Sequence, residues 1–226
     1  MNLPLEETTR RADELYRMRE DLENVRESVR ALEESVHANS YDLLWRKGRA
    51  LFFLGQEAET VDEARAHHAR AARACEQAVG DQPLRVEGHF WLGVNLALLA
   101  RNENPLKALR LALRARRSLE RAVRLDPAYH GAGPLRVLAR LQQNLPRLLG
   151  GGGARALSNY ERAIELAPTN TVTRLYLAEL LLETGDEARA RTVLLALLKA
   201  PPDPLWAFES ERDRKAARRM LDGLQS

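Results

Sequence analysis

The sequence predicts an all-α solenoid of repeated helix pairs, and three observations lead to that prediction. Ala, Leu, Arg and Glu dominate the 226 residues, and aromatic residues make up only 5%, a composition that favours helix. Three similar segments each place an Ala five residues before a Pro. Their prolines, Pro83, Pro127 and Pro168, lie 44 and then 41 residues apart. Internal repeats at such a period are typical of helical solenoids.

The N-terminal segment, residues 1–38, predicts one long helix. From Leu15 to Val36, apolar residues recur at three- and four-residue intervals, the spacing of one helix face. Coiled coils use the same spacing, so this helix either packs on the first repeat or forms a seam between two copies of the chain. Both alternatives stay open from the sequence, and a homo-oligomer stays open with the second.

Four helix-pair repeats follow, and each proline ends a second helix because proline cannot continue one. The first helix of each pair has a small residue at its centre, where two helices can cross closely. The fourth copy matches the tetratricopeptide consensus without insertion, at its period of about 34 residues. The predicted repeats are residues 41–83, 84–127, 131–168 and 170–202, and their central small residues are Gly48, Gly93, Ala139 and Ala178.

A charged amphipathic helix is predicted at residues 207–224, after the last repeat. The ends of a solenoid need a polar outer face, so we expect this helix to cap the fourth pair. The whole chain, residues 1–226, is then predicted to be a single helical-repeat domain.

The residues that could support chemistry do not form a catalytic or metal-binding pattern. The five histidines lack HExxH spacing, and His67 and His68 have no third ligand at metal spacing. Cys75 is the only cysteine and is predicted to be a small buried hydrophobic residue. The glycines at 150–153 lack the strand and the Lys-Ser/Thr of a phosphate-binding loop. We therefore predict no enzyme activity, no cofactor and no metal.

Charge and hydropathy constrain the partners and the compartment. The net charge is +3, and acidic and basic residues interleave along most of the chain, whereas a nucleic-acid binder would need a one-sided basic surface. No stretch approaches the 18 uninterrupted apolar residues that a membrane span needs. The N-terminus lacks the apolar core of a signal peptide, so the sequence as written predicts a cytoplasmic protein.

The candidate binding residues come from the first helix of each pair, since those helices line the concave face on which solenoids bind partners. The first two helices offer an aromatic and aliphatic wall, and the third offers two arginines one turn apart, close enough to hold one carboxylate. An amphipathic or acidic ligand, or a peptide, would fit such a groove. The predicted groove residues are Trp45, Arg49, Phe53, Phe90, Val94, Arg136, Arg140, Asn144 and Glu179.

Two alternatives to this groove stay open. The N-terminal helix could itself cover Trp45 and the phenylalanines, leaving no trough. The arginine pair could instead be neutralised inside the protein, with Glu179 on the next repeat as the obvious anion. In that case Arg136 and Arg140 belong to a structural ion network.

The stretches EGHFWLGVNLALLA, SLERAVRLDPAYHGAGPLRVLARL and ALSNYERAIELAP together resemble the T component associated with TRAP transporters. The resemblance implies a tetratricopeptide-like helical protein of the periplasm that partners a substrate-binding protein and holds an organic-acid-like ligand. This sequence departs from the family in lacking a signal peptide. The alternative is a cytoplasmic tetratricopeptide adaptor that binds a partner peptide and has no transport role.

Overall fold

The computed structural model describes residues 3–203 and 206–224, which form eleven α-helices and contain no β-strand. The all-α prediction is therefore confirmed. The helices are α1 Leu5–Arg17, α2 Leu22–Glu34, α3 Tyr41–Gln56, α4 Val61–Asp81, α5 Val86–Ala100, α6 Pro105–Leu125, α7 Tyr129–Asn144, α8 Gly153–Leu166, α9 Thr171–Glu183, α10 Glu187–Lys199 and α11 Ala207–Gly223. No described helix is long and apolar enough to cross a membrane.

The chain divides into two compact units, unit 1 at Met1–Leu125 and unit 2 at Asp126–Ser226. Unit 1 contains α1–α6 and unit 2 contains α7–α11. Within unit 1, α3 packs on α4 and α5 packs on α6, as helix pairs. Within unit 2, the same pairing joins α7 to α8 and α9 to α10.

The N-terminal segment is two helices and not the single long helix that the periodicity predicts. The Asp21 side chain accepts a hydrogen bond from Glu23 N at 2.9 Å and so starts a new helix. The apolar spacing continues across this turn, which is why periodicity alone did not reveal it. Ala12, Leu32 and Leu43 form one buried cluster, so the helix pair packs on the first repeat.

The small residues predicted at the helix crossings of unit 1 are required by close approach. A Cβ added to Gly48 would lie 2.1 Å from Cys75 Sγ, and one added to Gly93 would lie 2.6 Å from Leu119 Cγ. Ala122, on the second helix of its pair, is fully buried. Gly48 therefore lets α3 approach α4, and Gly93 lets α5 approach α6, more closely than a larger residue at either position would permit.

Unit 2 has alanine where unit 1 has glycine. Ala139 packs with Ala156 and Tyr160, and all three are fully buried. Ala178 packs with Leu194 and Leu197 beneath α11, which contributes residues such as Ala217. The predicted C-terminal capping helix is thus confirmed as α11.

The start of α7 has a left-handed turn that the sequence analysis did not predict. His130, Gly131 and Ala132 have φ angles of 53°, 61° and 56°, just before Pro134. Non-glycine residues rarely adopt this conformation, so surrounding contacts must hold it in place. One such contact is a 2.8 Å hydrogen bond from Arg136 Nη1 to the Gly131 carbonyl oxygen.

Candidate binding site

The nine predicted groove residues fall in both units and are described unit by unit. Unit 1 contains Trp45, Arg49, Phe53, Phe90 and Val94, on α3 and α5. Unit 2 contains the remaining four, which lie on α7 and α9: Arg136, Arg140, Asn144 and Glu179.

On α5, the predicted aromatic wall belongs to the core of unit 1. Phe90 and Val94 are 2% and 6% exposed. The Phe90 ring lies edge-on to the Trp91 ring with centroids 4.8 Å apart. Every residue from Phe90 to Leu96 is buried, so this part of α5 is enclosed on all sides, which is typical of a central helix. These two side chains therefore stabilise unit 1 and do not present a surface.

On α3, the predicted groove face is covered by α1. Trp45 and Phe53 are 7% and 5% exposed. The ring of Tyr16, on α1, packs edge-on against Phe53 with centroids 6.1 Å apart. This arrangement corresponds to the alternative in which the N-terminal segment occupies the trough.

An ion cluster fixes α1 on α3. Asp13 accepts hydrogen bonds from Arg46 Nε at 3.1 Å and from Arg49 Nη2 at 2.6 Å. Burial alone would raise the pKa of the Asp13 carboxyl, but the two guanidiniums outweigh burial and lower it. Sequence reasoning missed Asp13 and Tyr16 because their partners are more than 30 residues away.

Two donors in this cluster lack an acceptor among the residues that the structure describes. These donors, Trp45 Nε1 and Arg49 Nε, are both buried. The Arg49 guanidinium lies 5.2 Å from the centroid of the Trp45 ring and 4.1 Å from that of Tyr16. Buried donors are normally satisfied, so both of these are suited to an acceptor oxygen from outside the chain. We call this pair the Trp45–Arg49 site.

In unit 2, Arg140 is neutralised within the chain. Its Nη2 lies 2.8 Å from Glu179 Oε2, and its guanidinium lies 4.8 Å from the centroid of the Tyr176 ring. Exposed Asn144 donates to the Arg140 carbonyl oxygen at 2.8 Å. This is the internal ion pair that the sequence offered as an alternative. The cluster is partly accessible, with side-chain exposures of 29% for Arg140 and 31% for Glu179.

Arg136 has different surroundings from Arg140. It is 5% exposed and makes no ion pair with any residue among 3–203 and 206–224. Besides Gly131, its Nη1 lies 3.4 Å from Asn170 Oδ1, and its guanidinium lies 5.4 Å from the Trp206 ring centroid. Burial lowers the pKa of this guanidinium. The two arginines therefore do not converge on a shared anion in this structure.

Three further side chains with reactive groups, Cys75, His68 and His89, lie in unit 1. Cys75 is fully buried, and burial raises the pKa of its thiol. His68 Nδ1 lies 3.0 Å from Asn95 Oδ1, and burial lowers the pKa of His68. His89 Nε2 lies 3.0 Å from the Pro83 carbonyl oxygen, to which it must donate. No group of three His, Cys, Asp or Glu side chains among the described residues could hold a metal ion.

Comparison with known proteins gives a family and a fold. The model of a family described as TRAP transporter T-component matches residues 19–226. A thermophilic tetratricopeptide protein of Thermus thermophilus, TTC0263, is similar in structure with a TM-score of 0.70 and 20% identity, over 94% of this chain and 97% of that one. MamA is similar with a TM-score of 0.55 and 16% identity, over 96% of this chain and 99% of its own. No curated protein sequence matches.

These similarities confirm the fold class predicted from the sequence, an all-α tetratricopeptide-like helical repeat.

Proposed function

The chain belongs to the TRAP transporter T-component family, and from that premise we propose that it is a non-enzymatic scaffold that binds a partner protein and an acidic, amphipathic ligand. The partner that the family resemblance implies is a substrate-binding protein. The implied location is the periplasm, which cell fractionation would test.

The ligand part of this proposal is supported by the two unsatisfied donors of the Trp45–Arg49 site. Leaving a buried donor without an acceptor costs about 1–3 kcal/mol of stability. Two such donors on one face of α3 therefore favour the binding of an acceptor from outside the chain. Arg46 and Arg49 share the Asp13 carboxylate, and Arg46 also lies 3.6 Å from Asp42 Oδ1, so the acceptor-free Arg49 Nε belongs to a guanidinium whose ion-pair partner is shared. A carboxylate oxygen supplies the lone pairs that these two donors lack, and its charge strengthens a hydrogen bond from a guanidinium.

The apolar part of the ligand is suggested by the neighbouring rings. Tyr16 and Phe53 lie beside the Trp45–Arg49 site and belong to different helices. Arg49 is held between the rings of Tyr16 and Trp45, which fixes its orientation. A medium-chain fatty acid combines a carboxylate with an alkyl chain suited to aromatic surroundings.

Calorimetric titration with octanoate tests this proposal. Arg49→Gln and Trp45→Phe each remove one of the two donors. We expect each substitution to weaken binding by roughly tenfold or more, as for a hydrogen bond to a charged group. Arg140→Gln is the matched control, because it removes an arginine from the equivalent helix of unit 2 and should leave octanoate binding unchanged. Equal binding by all four proteins would contradict the proposal.

A second candidate function is a peptide-binding adaptor, and the accessible cluster on α7 and α9 favours it. Arg140, Asn144 and Tyr176 are partly or fully accessible and are held in place by one another and by Glu179. Tyrosine and arginine are the residue types enriched where proteins meet. Tyr176→Ala should abolish capture of a partner protein in this case while leaving octanoate binding intact. If partner capture survives Tyr176→Ala, the cluster is not the adaptor surface.

A further inference from the structure

Helix α6 has a row of basic side chains along one face. They recur at three- and four-residue intervals, which places them on the same side of the helix. The row extends for about 26 Å at 1.5 Å per residue. Five of its members are exposed, and Arg121 is half-buried. The α6 basic row consists of Lys107, Arg110, Arg114, Arg117, Arg121 and Arg124.

Neither packing nor helix stability explains this row. The core face of α6 is a different side of the helix, occupied by Ala115, Leu119 and Ala122. Like charges at these spacings repel one another, and Lys107 lies near the helix end where the backbone dipole disfavours cations. The first turn of α6 contains no acidic residue to offset that charge.

Helix α4 shows that a helix of this length in the same unit can avoid such a row. Both helices have 21 residues, but α4 has acidic residues mixed among its arginines. Arg65 pairs with Glu103 at 3.0 Å and Arg70 pairs with Glu33 at 2.9 Å. The charges of α4 are therefore largely balanced within the protein.

Most of the α6 basic row is not balanced in this way. Lys107 pairs with Glu103 at 2.7 Å, and Arg114 pairs with Glu76. The other four make no ion pair with any side chain in the described ranges 3–203 and 206–224. These four unpaired members are Arg110, Arg117, Arg121 and Arg124.

We propose that the α6 basic row docks an acidic helix of a partner protein, one whose carboxylates recur at the same three- and four-residue spacing. The row is one side chain wide, and the carboxylates of Glu76, Glu103 and Glu120 lie on or next to α6. Those carboxylates repel a broad polyanion such as duplex DNA or an anionic bilayer. A narrow row of carboxylates avoids them and meets a cation at each helical turn.

This surface is distinct from the Trp45–Arg49 site, and the inference does not depend on ligand binding there. It concerns a protein contact through α6, the last helix of unit 1. Neither octanoate binding nor its loss bears on this contact.

The test uses a labelled helical peptide as long as α6, alanine-based, with a glutamate at each position corresponding to the row. A second peptide has the same composition with its glutamates scrambled out of register. Binding to the full chain is followed by fluorescence anisotropy at low salt. A variant changes the four unpaired arginines of the row to Gln. The control variant, Arg17→Gln/Arg162→Gln/Arg218→Gln/Arg219→Gln, removes the same charge from other exposed positions.

The patterned peptide is expected to bind at least tenfold more tightly than the scrambled one, about 1.4 kcal/mol. The row variant should lose the preference for the patterned peptide, and the control variant should keep that preference. Added salt should weaken the preference. Equal binding of the two peptides, or an equal loss of patterned-peptide binding in the row variant and the control variant, would overturn the proposal. Tighter binding of duplex DNA or of phosphatidylglycerol vesicles than of the patterned peptide would also overturn it, assigning the row to phosphate.

Discussion

The two units are built from the same kind of helix pair, but they differ in the residues at their helix crossings and in the partners of their buried charges. Unit 1 crosses its helices at Gly48 and Gly93, whereas unit 2 uses alanines. In unit 1 the carboxylate of Asp13 faces two guanidiniums. In unit 2 the guanidinium of Arg136 is buried with carbonyl, amide and hydroxyl partners. The same helix-pair architecture thus accommodates two arrangements of buried charge, and in unit 1 two donors without an acceptor among the described residues lie on one face of α3.

The largest expected effect concerns the glycine crossing in unit 1. Gly48→Ala places a methyl group on Cys75 Sγ and should lower the free energy of unfolding by about 2–3 kcal/mol through overpacking. Gly80→Ala is the control, because a Cβ there meets nothing within 4 Å and should be neutral or mildly stabilising. Urea denaturation measures both. If Gly48→Ala is as stable as Gly80→Ala, close approach does not explain the glycine.

Asp13→Asn should have the next largest effect, since it removes the carboxylate that Arg46 and Arg49 share. We expect a loss of about 1–2 kcal/mol at neutral pH, because hydrogen bonds to charged groups are the stronger ones. The folded pKa of Asp13 is lowered, so its contribution is present above the unfolded pKa and is lost as pH falls through the folded pKa. Acid denaturation of wild type and variant should therefore converge at low pH. A constant difference at every pH would contradict this assignment.

The same change in unit 2 should be tolerated. Asp213 is 1% exposed and accepts a 2.7 Å hydrogen bond from Thr171 Oγ1, a contact that an asparagine oxygen can keep. Burial raises the folded pKa of Asp213, although the Thr171 hydroxyl and the Arg212 guanidinium oppose that rise. Its contribution is therefore full below the unfolded pKa and is lost as pH rises through the folded pKa. At neutral pH, Asp213→Asn should leave the melting temperature unchanged or higher, and a clear drop would remove the contrast with Asp13.

A small loss of stability is expected at the accessible ion pair of unit 2. Arg140→Gln removes the partner of Glu179, but both side chains are about a third exposed. Partly exposed pairs contribute about 0.2–1 kcal/mol, and the melting temperature should fall only slightly. A loss as large as that of Asp13→Asn would show that the ion pairs of the two units are equivalent after all.

Much of the fold could be predicted from the sequence. Pro83, Pro127 and Pro168 each lie two residues beyond the end of a helix, and the central small residues are buried in helix contacts, because both signals are local. The turn at Asp21 could not be seen, since the apolar spacing of α1 and α2 continues across it. The left-handed turn at His130 and Ala132 could not be predicted either, because a positive φ is uncommon for any residue other than glycine, and one His beside a Gly is too weak a signal of it.

The candidate site was harder to predict. Placing Trp45, Arg49 and Phe53 on one helix face required only helical periodicity, and the structure brings all three to the face that α1 covers. Their partners Asp13 and Tyr16 are distant in sequence, so no spacing rule could find them. Arg136 and Arg140 are neighbours on α7, but the sequence could not show that one is buried with Asn170 and the other paired with Glu179.

The most direct test of the account observes the Trp45 indole proton during a ligand titration. The chain has three tryptophans, Trp45, Trp91 and Trp206, so a ¹⁵N-labelled sample gives three indole N–H signals, and Trp45→Phe identifies one of them. Because Trp45 Nε1 is the buried donor without an acceptor, octanoate should shift its proton signal strongly downfield and leave the Trp206 signal in place. A Trp45 signal that stays fixed while octanoate binds, or while the Trp206 signal moves, would contradict the assignment of the ligand site to unit 1.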